Sequence, residues 1–192
     1  KVLIADLGPQ GNASTGLGID RQNRKHSTYD VMVGAGTLLQ AAKVTAVPGL
    51  HIAPSTLDLL GVELEIANSA DRALRLKKAV ADLAAHDDPQ SGAFTYLLVD
   101  CPPSLNLLTV NALAAANSVL VPLQCEFFAL EDVRQHMGDK VYDTIIPRNV
   151  RVSEAPSHGK PVLLYDFKCA GSQAYLKLAS EIIQRERTLR VA

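Results

Sequence analysis

The stretch that decides the fold of this chain reads Tyr96-Leu97-Leu98-Val99-Asp100-Cys101-Pro102-Pro103. Its apolar residues lead directly into an aspartate, and the two prolines that follow prevent a strand from continuing. An uninterrupted apolar run is typical of a strand that is buried on both faces, as in a parallel sheet covered by helices. We therefore predict a central buried strand whose carboxyl end carries Asp100.

The position of Asp100 has a chemical meaning as well as a structural one. In open α/β sheets, ligands bind in the crevice outside the carboxyl ends of the strands. An apolar strand followed by aspartate is also the Walker B pattern, in which the carboxylate holds Mg²⁺ beside nucleotide phosphates. The pattern alone leaves two interpretations open, a magnesium site or an acid that caps the next turn.

The remaining apolar segments alternate between strand and helix patterns. Further strands are predicted at Val2–Ala5, Leu50–Ala53, Ser118–Pro122, Val141–Ile146 and Val162–Leu164. Helices are predicted at Thr28–Met32, Thr37–Ala42 and Thr56–Ala67, from Ser69 or Asp71 to Leu83, and at Ser104–Ala116, Phe128–Met137 and Ser172–Arg187. This alternation predicts an α/β fold with a mainly parallel sheet between helical layers, in a single domain over residues 1–192.

Composition excludes several functional classes. Hydrophobic residues make up 47% and charged residues 20% of the 192 positions, which is typical of a globular protein. The three cysteines (Cys101, Cys125 and Cys169) are far apart and form no C-x-x-C pair. This spacing favours reduced thiols in the cytoplasm over an iron–sulfur or zinc site. The most apolar region, residues 107–123, is interrupted by two asparagines and a proline, so we expect no transmembrane helix.

Charge is unevenly distributed along the chain. Residues 1–139 carry 15 acidic and 10 basic side chains, a net charge of −5, whereas residues 140–192 carry 5 and 9, a net charge of +4. A basic C-terminal part is suited to contact with phosphate backbones. An ordinary solvated surface would have the same composition, so both interpretations stay open.

A glycine pair near the start of the chain imitates a phosphate-binding loop. Gly11 and Gly16 follow the first predicted strand with four residues between them, which is the spacing of that motif. The motif then requires lysine and a hydroxyl residue, but Leu17 and Gly18 occupy those places. We therefore reject a Walker A motif at this position.

Four segments together carry a resemblance to a known family. They are Val2–Asn12, Asp100–Pro103, Pro122–Leu130 and Ile146–Pro161. In this order they resemble the ParA/Soj chromosome- and plasmid-partitioning ATPases, of the deviant-Walker class of P-loop NTPases that also contains MinD. The resemblance implies a three-layer, doubly wound sheet of the P-loop NTPase type.

The resemblance also implies an activity, cofactors and partners. The family's proteins use ATP and Mg²⁺, dimerise when ATP is bound, and coat nucleoid DNA in the cytoplasm without sequence preference. A ParB-type centromere-binding protein stimulates their hydrolysis. A MinD-like membrane switch is disfavoured, because residues 181–189 have too little apolar face to anchor in a bilayer.

Individual residues take roles from this resemblance. Asp100 would hold Mg²⁺ through water, and Asp6 would be the catalytic residue of the first switch, beside the phosphates. The nucleotide contacts would be Gln124 and Glu126 at the carboxyl edge of the sheet, or at the dimer face, with Pro147, Arg148 and Asn149 in the adenine pocket. The DNA backbone contacts would be Arg151, Lys160 and Lys168. A proline-ended strand with surface polar residues is the alternative for the adenine-pocket group.

The chain departs from the family pattern at three places. The family's lysine-rich Walker A segment would lie ahead of Lys1, outside residues 1–192. Gly8 stands where the family has an aspartate that positions the attacking water, so we expect hydrolysis to be severely reduced. A helix, a strand and part of another helix would be missing between Glu131 and Asp132. A non-hydrolysing nucleotide-binding scaffold, or a truncated relative, is therefore the alternative.

Overall fold

Four strands form one sheet in the part of the chain that a computed structural model describes, residues 1–86, 93–123 and 133–191. The strands are β1 (Val2–Asp6), β2 (Lys43–Val44), β3 (Leu50–Ala53) and β4 (Tyr96–Asp100). Their order is β2-β3-β1-β4, with β1 parallel to both β3 and β4 and only β2 antiparallel. The predicted α/β fold with a mainly parallel sheet is confirmed.

The chain divides into two compact units. The first consists of Lys1–Val119 together with His158–Lys160, and the second of Leu120–Ser157 with Pro161–Ala192. The helices of the first unit are α1 (Asn12–Gly16), α2 (Thr28–Val33), α3 (Leu38–Ala41), α4 (Val62–Glu65), α5 (Arg75–His86) and α6 (Leu107–Ala115). A 3₁₀ turn at Leu57–Leu60 precedes α4, so the helix predicted at Thr56–Ala67 is split near Gly61.

The core of the first unit lies against one face of its sheet. Leu3 and Ala5 of β1 are fully buried and belong to one cluster with residues of the helices, among them Met32 of α2 and Leu76 of α5. Asn111 of α6 is also fully buried. Its amide donates to the carbonyls of Arg72 and Leu107 and accepts from the backbone N–H of Leu76, which ties α6 to the start of α5.

The prediction that Tyr96–Asp100 is buried on both faces is wrong. Leu97 and Val99 pack against the core, whereas Tyr96 is 39% and Leu98 54% exposed. β4 is the last strand of the sheet in the described residues, and its two faces have different surroundings. A continuous apolar run cannot reveal this difference, because the same letters suit a strand covered on one face or on two.

The regular secondary structure in the described residues of the second unit is all helical. Residues 133–137 are helical, and α7 (Val150–Glu154), α8 (Val162–Tyr165) and α9 (Ala170–Val191) follow. α9 contains the predicted helix Ser172–Arg187, and the predicted strand Val162–Leu164 is α8 instead. No described helix combines the length and apolar character needed to cross a bilayer.

Two other predicted strands are absent from the sheet. Ser118–Pro122 has no strand pairing in the described residues, and Val119, Leu120 and Val121 are more than half exposed. Val141–Ile146 is irregular, and side chains of α9 bind its backbone. Glu181 accepts from the N–H groups of Asp143 and Thr144, and Arg185 donates to the carbonyl of Val141. The predicted helix Phe128–Met137 lies partly outside the described residues.

Candidate functional site

Two carboxylates lie side by side at the carboxyl edge of the sheet. Asp6 ends β1 and Asp100 ends β4, and the two are direct partners in the parallel register. Asp6 is fully buried, whereas Asp100 is exposed. Because the carboxyl edge of a parallel sheet is where such folds bind ligands, this pair marks the candidate site.

The buried carboxylate of Asp6 holds the loop that follows β1. It accepts hydrogen bonds from the backbone N–H of Gly8 at 3.0 Å, from that of Ser14 at 3.0 Å and from Ser14 Oγ at 2.6 Å. Ser14 belongs to the first turn of α1, so Asp6 satisfies a helix N–H that has no partner within the helix. These three donors satisfy a charge that would be costly to bury unpaired.

Ser55 connects this loop to the end of β3. Its backbone N–H donates to Ser14 Oγ at 3.2 Å, and its own hydroxyl donates to the carbonyl of Gly8 at 2.6 Å. The loop is therefore bound at both β1 and β3. Ser55 is fully buried, so these bonds are shielded from water.

A buried arginine completes the network. Arg24 is 6% exposed and donates to the carbonyls of Ile19 and Ser55 and to Thr15 Oγ1. Burial lowers the pKa of Arg24, and the negative charge of Asp6 opposes that effect. Gly11 lies directly against the guanidinium with φ +68°, and a Cβ at residue 11 would collide with Arg24 Nη1.

Asp100 differs from Asp6 in being open to solvent. Loss of part of its hydration, and then the negative charge of Asp6, raise the pKa of Asp100. A cation beside Asp100 would oppose both effects. The described residues contain no cluster of three or more metal-ligating side chains. Mg²⁺ commonly binds through one or two carboxylates, with water and substrate phosphates as the other ligands, so Asp100 fits as a magnesium ligand of that kind.

The other predicted site residues lie elsewhere in the two units or outside the described chain. Lys160 is exposed in the first unit, next to Gly159, whose backbone packs against Gly18 near the end of α1. Gln124 and Glu126 lie outside the described residues. Pro147, Arg148, Asn149, Arg151 and Lys168 all belong to the second unit.

Within the second unit, two of these residues already have partners. The Asn149 side chain accepts from the backbone N–H of Arg151 and caps α7. Arg151 pairs with Glu154 at 3.0 Å and with Asp166 at 3.6 Å. Pro147, Arg148 and Lys168 are exposed.

Sequence reasoning predicted that both aspartates lie at strand ends, but it missed the residues that organise the loop around Asp6. Ser14, Arg24 and Ser55 are joined by bonds that span up to 41 residues. No spacing rule relates positions so far apart. The only available signal was a hydroxyl residue in the first turn after a glycine-rich loop, which is too common to single out Ser14.

Comparison with known protein sequences gives the family. A sequence profile described as AAA domain matches residues 1–148. The chromosome partitioning protein ParA of Caulobacter vibrioides is 50% identical over 229 aligned residues, which cover 97% of this chain and 84% of that protein. The sporulation initiation inhibitor protein Soj of Bacillus subtilis is 38% identical, with 95% of this chain and 86% of that protein covered.

Comparison with solved structures gives the structural class of the fold. Cobyrinic acid a,c-diamide synthase from Mycobacterium smegmatis with bound ADP and magnesium matches with a TM-score of 0.68 at 28% identity, over 97% of this chain and 83% of that chain. MinD from Pyrococcus horikoshii has the same fold, with a TM-score of 0.70 at 24% identity over 95% and 83% of the two chains. The fold and the paired strand-end acids define a P-loop NTPase of the ParA/MinD class. The sequence matches are more specific, and the chain belongs to the ParA/Soj family of partitioning ATPases.

Proposed function

We propose that this protein is an ATP-dependent switch for the segregation of a chromosome or plasmid. The observation that carries the proposal is the exposed Asp100 beside the loop that Asp6 holds, at the carboxyl edge of the sheet. The identity to ParA of Caulobacter vibrioides supports it. So does the bound ADP and magnesium in the M. smegmatis synthase, which is 28% identical.

The residues of the site have distinct tasks in this proposal. Asp100 takes part in holding Mg²⁺ through water, and the metal neutralises phosphate charge when it is bound. Asp6 acts as the first-switch carboxylate. Its bonds to Gly8 and Ser14 couple its position to the loop, so any movement of Asp6 towards a bound nucleotide rearranges that loop.

The partners belong to the proposal as well. An ATP-bound homodimer would bind DNA non-specifically, and a ParB-type protein would stimulate its hydrolysis. Lys160 and Lys168 are exposed and form no ion pair within the described residues, whereas the charge of Arg151 is partly offset by two acids. DNA affinity should therefore depend more on the two lysines, and it should fall steeply with salt.

We also propose that this chain lacks, between Glu131 and Asp132, a segment that its relatives contain. The alignment with ParA of Caulobacter vibrioides spans 229 positions, whereas this chain has 192 residues. The relative therefore has residues inside the matched region that have no counterpart here, which supports the proposal.

A non-hydrolysing scaffold is the second candidate, and Gly8 is the observation that favours it. A glycine offers no carboxylate to orient an attacking water. A Cβ at residue 8 would lie 3.3 Å from Asp6 Oδ1, so an aspartate there would place a second carboxylate at the buried end of β1. A protein of this kind would bind ATP without cleaving it.

Measurements of nucleotide binding and of phosphate release distinguish the ATP-hydrolysing switch from the non-hydrolysing scaffold. We expect Mg²⁺-dependent binding of a fluorescent ATP analogue to weaken about tenfold in Asp100→Asn, because one charged ligand contact is lost, a change of about 1.4 kcal/mol. Asp82→Asn, at an exposed position on α5, is the matched control and should bind as the parent does. The proposal would be contradicted if the analogue bound equally well with and without Mg²⁺, or if Asp100→Asn bound it as tightly as the parent does.

The Gly8→Asp variant tests the scaffold. If the missing carboxylate limits hydrolysis, this variant should release phosphate at least tenfold faster than the parent, with ATP affinity unchanged. A parent that releases phosphate measurably, and as fast as Gly8→Asp, would exclude the scaffold.

A further inference from the structure

Two acids of the second unit lie against Arg151, one of the proposed DNA contacts. Arg151 pairs with Glu154 of the same helix, α7, at 3.0 Å, and with Asp166, the residue after α8, at 3.6 Å. The Arg151 side chain is 53% exposed, so a ligand in solution can still reach it. One guanidinium therefore faces two carboxylates, although a single carboxylate would neutralise its charge.

Glu154 is fixed by a contact outside its own helix. Its Oε2 accepts a hydrogen bond from the hydroxyl of Tyr165, in α8, at 3.3 Å, in addition to the bond from Arg151 Nη1. An exposed ion pair usually contributes little, because two mobile side chains must be ordered to form it. The second bond already orders this carboxylate, so pairing with Arg151 has a lower cost in entropy.

Asp166 is fixed by the chain that follows it. Its Oδ1 accepts from the backbone N–H groups of Lys168 and Cys169, both at 3.2 Å, whereas its Oδ2 faces Arg151 Nε. The same carboxylate is thus bound to the backbone of one proposed DNA contact and paired with the side chain of another. A phosphate that approaches Arg151 meets this fixed negative charge, which repels it.

We propose that Glu154 and Asp166 withhold Arg151 from the phosphates of DNA, and we call these two acids the acidic lock. The inference rests on the proposed function, in which Arg151 is one of the DNA contacts. With the lock closed, Lys168 binds phosphate and Arg151 does not. When the lock opens, the guanidinium exchanges its two carboxylates for a phosphate, and the protein binds one phosphate more.

The number of bound phosphates can be measured from the effect of salt. The logarithm of DNA affinity falls linearly with the logarithm of salt concentration, with a slope of about −0.9 for each neutralised phosphate. Opening of the lock should therefore make the slope steeper by about 0.9. A change in net charge away from the DNA adds no phosphate contact, so it should leave the slope unchanged.

The test removes the charges of the lock and keeps its hydrogen bonds. In Glu154→Gln/Asp166→Asn, the lock variant, the amide oxygens can still accept from the hydroxyl of Tyr165 and from the N–H groups after α8. The whole protein is mixed with Mg²⁺, a non-hydrolysable ATP analogue and a fluorescein-labelled DNA duplex of random sequence. Fluorescence anisotropy in low salt should give binding about fivefold tighter than that of the parent, with the steeper slope.

Two further variants serve as controls. Asp139→Asn removes an acid that is exposed in the same unit. It should change DNA affinity only slightly and leave the slope as it is in the parent. Addition of Arg151→Gln to the lock variant should abolish the gain in affinity and return the slope to that of the parent.

A second measurement needs neither DNA nor nucleotide. Phenylglyoxal modifies accessible guanidinium groups, and mass spectrometry of peptides gives the rate at each arginine. Arg151 should react several-fold faster in the lock variant than in the parent, because its two partners no longer carry charge. Arg187, which is exposed on α9, should react at the same rate in both proteins.

Three results would overturn the lock. The first is a lock variant that binds DNA with the affinity and the slope of a DNA-binding parent. The second is a gain in affinity that persists after Arg151→Gln. The third is an equal rate of phenylglyoxal modification at Arg151 in the parent and the lock variant. Absence of DNA binding in the parent and in every variant would instead contradict the proposed function, and the lock with it.

Discussion

Replacement of Gly11 by alanine tests the buried network around Asp6. Gly11 has φ +68°, and its backbone lies against the guanidinium of Arg24. A matched position is available at Gly49, which has φ +77° but no atom within 4 Å of an added Cβ. The two glycines share the left-handed conformation and differ in what surrounds them.

The structure gives different costs for the two substitutions. Gly49→Ala has only the left-handed conformation to oppose it, about 1 kcal/mol of unfolding free energy. Gly11→Ala has the same term and also displaces Arg24 Nη1 from the Ser55 carbonyl. A hydrogen bond from a charged group is worth about 2 kcal/mol, so Gly11→Ala should cost about 3 kcal/mol.

Urea denaturation with a double-mutant cycle measures this difference. In an Arg24→Ala background the collision is removed, so Gly11→Ala should cost only about 1 kcal/mol, a coupling of about 2 kcal/mol. Equal costs for Gly11→Ala and Gly49→Ala in the parent would refute the reasoning. Strict additivity of Gly11→Ala and Arg24→Ala would refute it as well.

Two further predictions concern Asp100 and Asn111. The pKa of Asp100 is raised, so its folded state penalises the charged form and stability is lost as pH rises through that pKa. Asp100→Asn should therefore stabilise the metal-free protein at pH 7 and converge with the parent in acid, where the carboxyl is protonated in the folded and unfolded states alike; a difference that persists there would exclude this cause. Asn111→Ala should cost about 3 kcal/mol, because it leaves the buried N–H of Leu76 and two carbonyls without their partner. An Asn117→Ala variant makes the same chemical change at an exposed position just after α6 and provides the comparison, and urea unfolding of the two should differ clearly.

Much of the first unit could be predicted from local sequence. Leu50–Ala53 and Tyr96–Asp100 were located to the residue, because each apolar run is bounded by glycine, proline or an acid. The short helices α2 and α3 were located to within a residue or two, since glycines and hydroxyl residues mark their ends.

The two strand predictions that failed, Ser118–Pro122 and Val141–Ile146, have a common cause. Ser118–Pro122 has the composition of a strand, but a strand exists only where a neighbouring strand binds its backbone, and the described residues provide none. Val141–Ile146 also has a strand pattern, yet Glu181 and Arg185 bind its backbone from distant positions. In both cases the outcome depends on partners that local sequence does not specify.

In the candidate site, too, some features could be predicted from local sequence and others could not. The positions of Asp6 and Asp100 at the ends of two strands were predicted from the sequence, because each follows an apolar run. Arg24 was not, since its role arises from the approach of Ile19, Thr15 and Ser55 after folding. Position on an element can be predicted from the sequence, whereas a network that joins several elements requires the fold.

The close contact between Gly18 and Gly159 has a consequence for biosynthesis. His158–Lys160 belongs to the first unit, although the chain on either side of these three residues belongs to the second. Proteins emerge from the ribosome N-terminus first, and their domains begin to fold during translation. The first unit is still incomplete when residue 119 has been translated, because Gly159 has not yet been added to the chain. Its last contact forms only after most of the chain has been made.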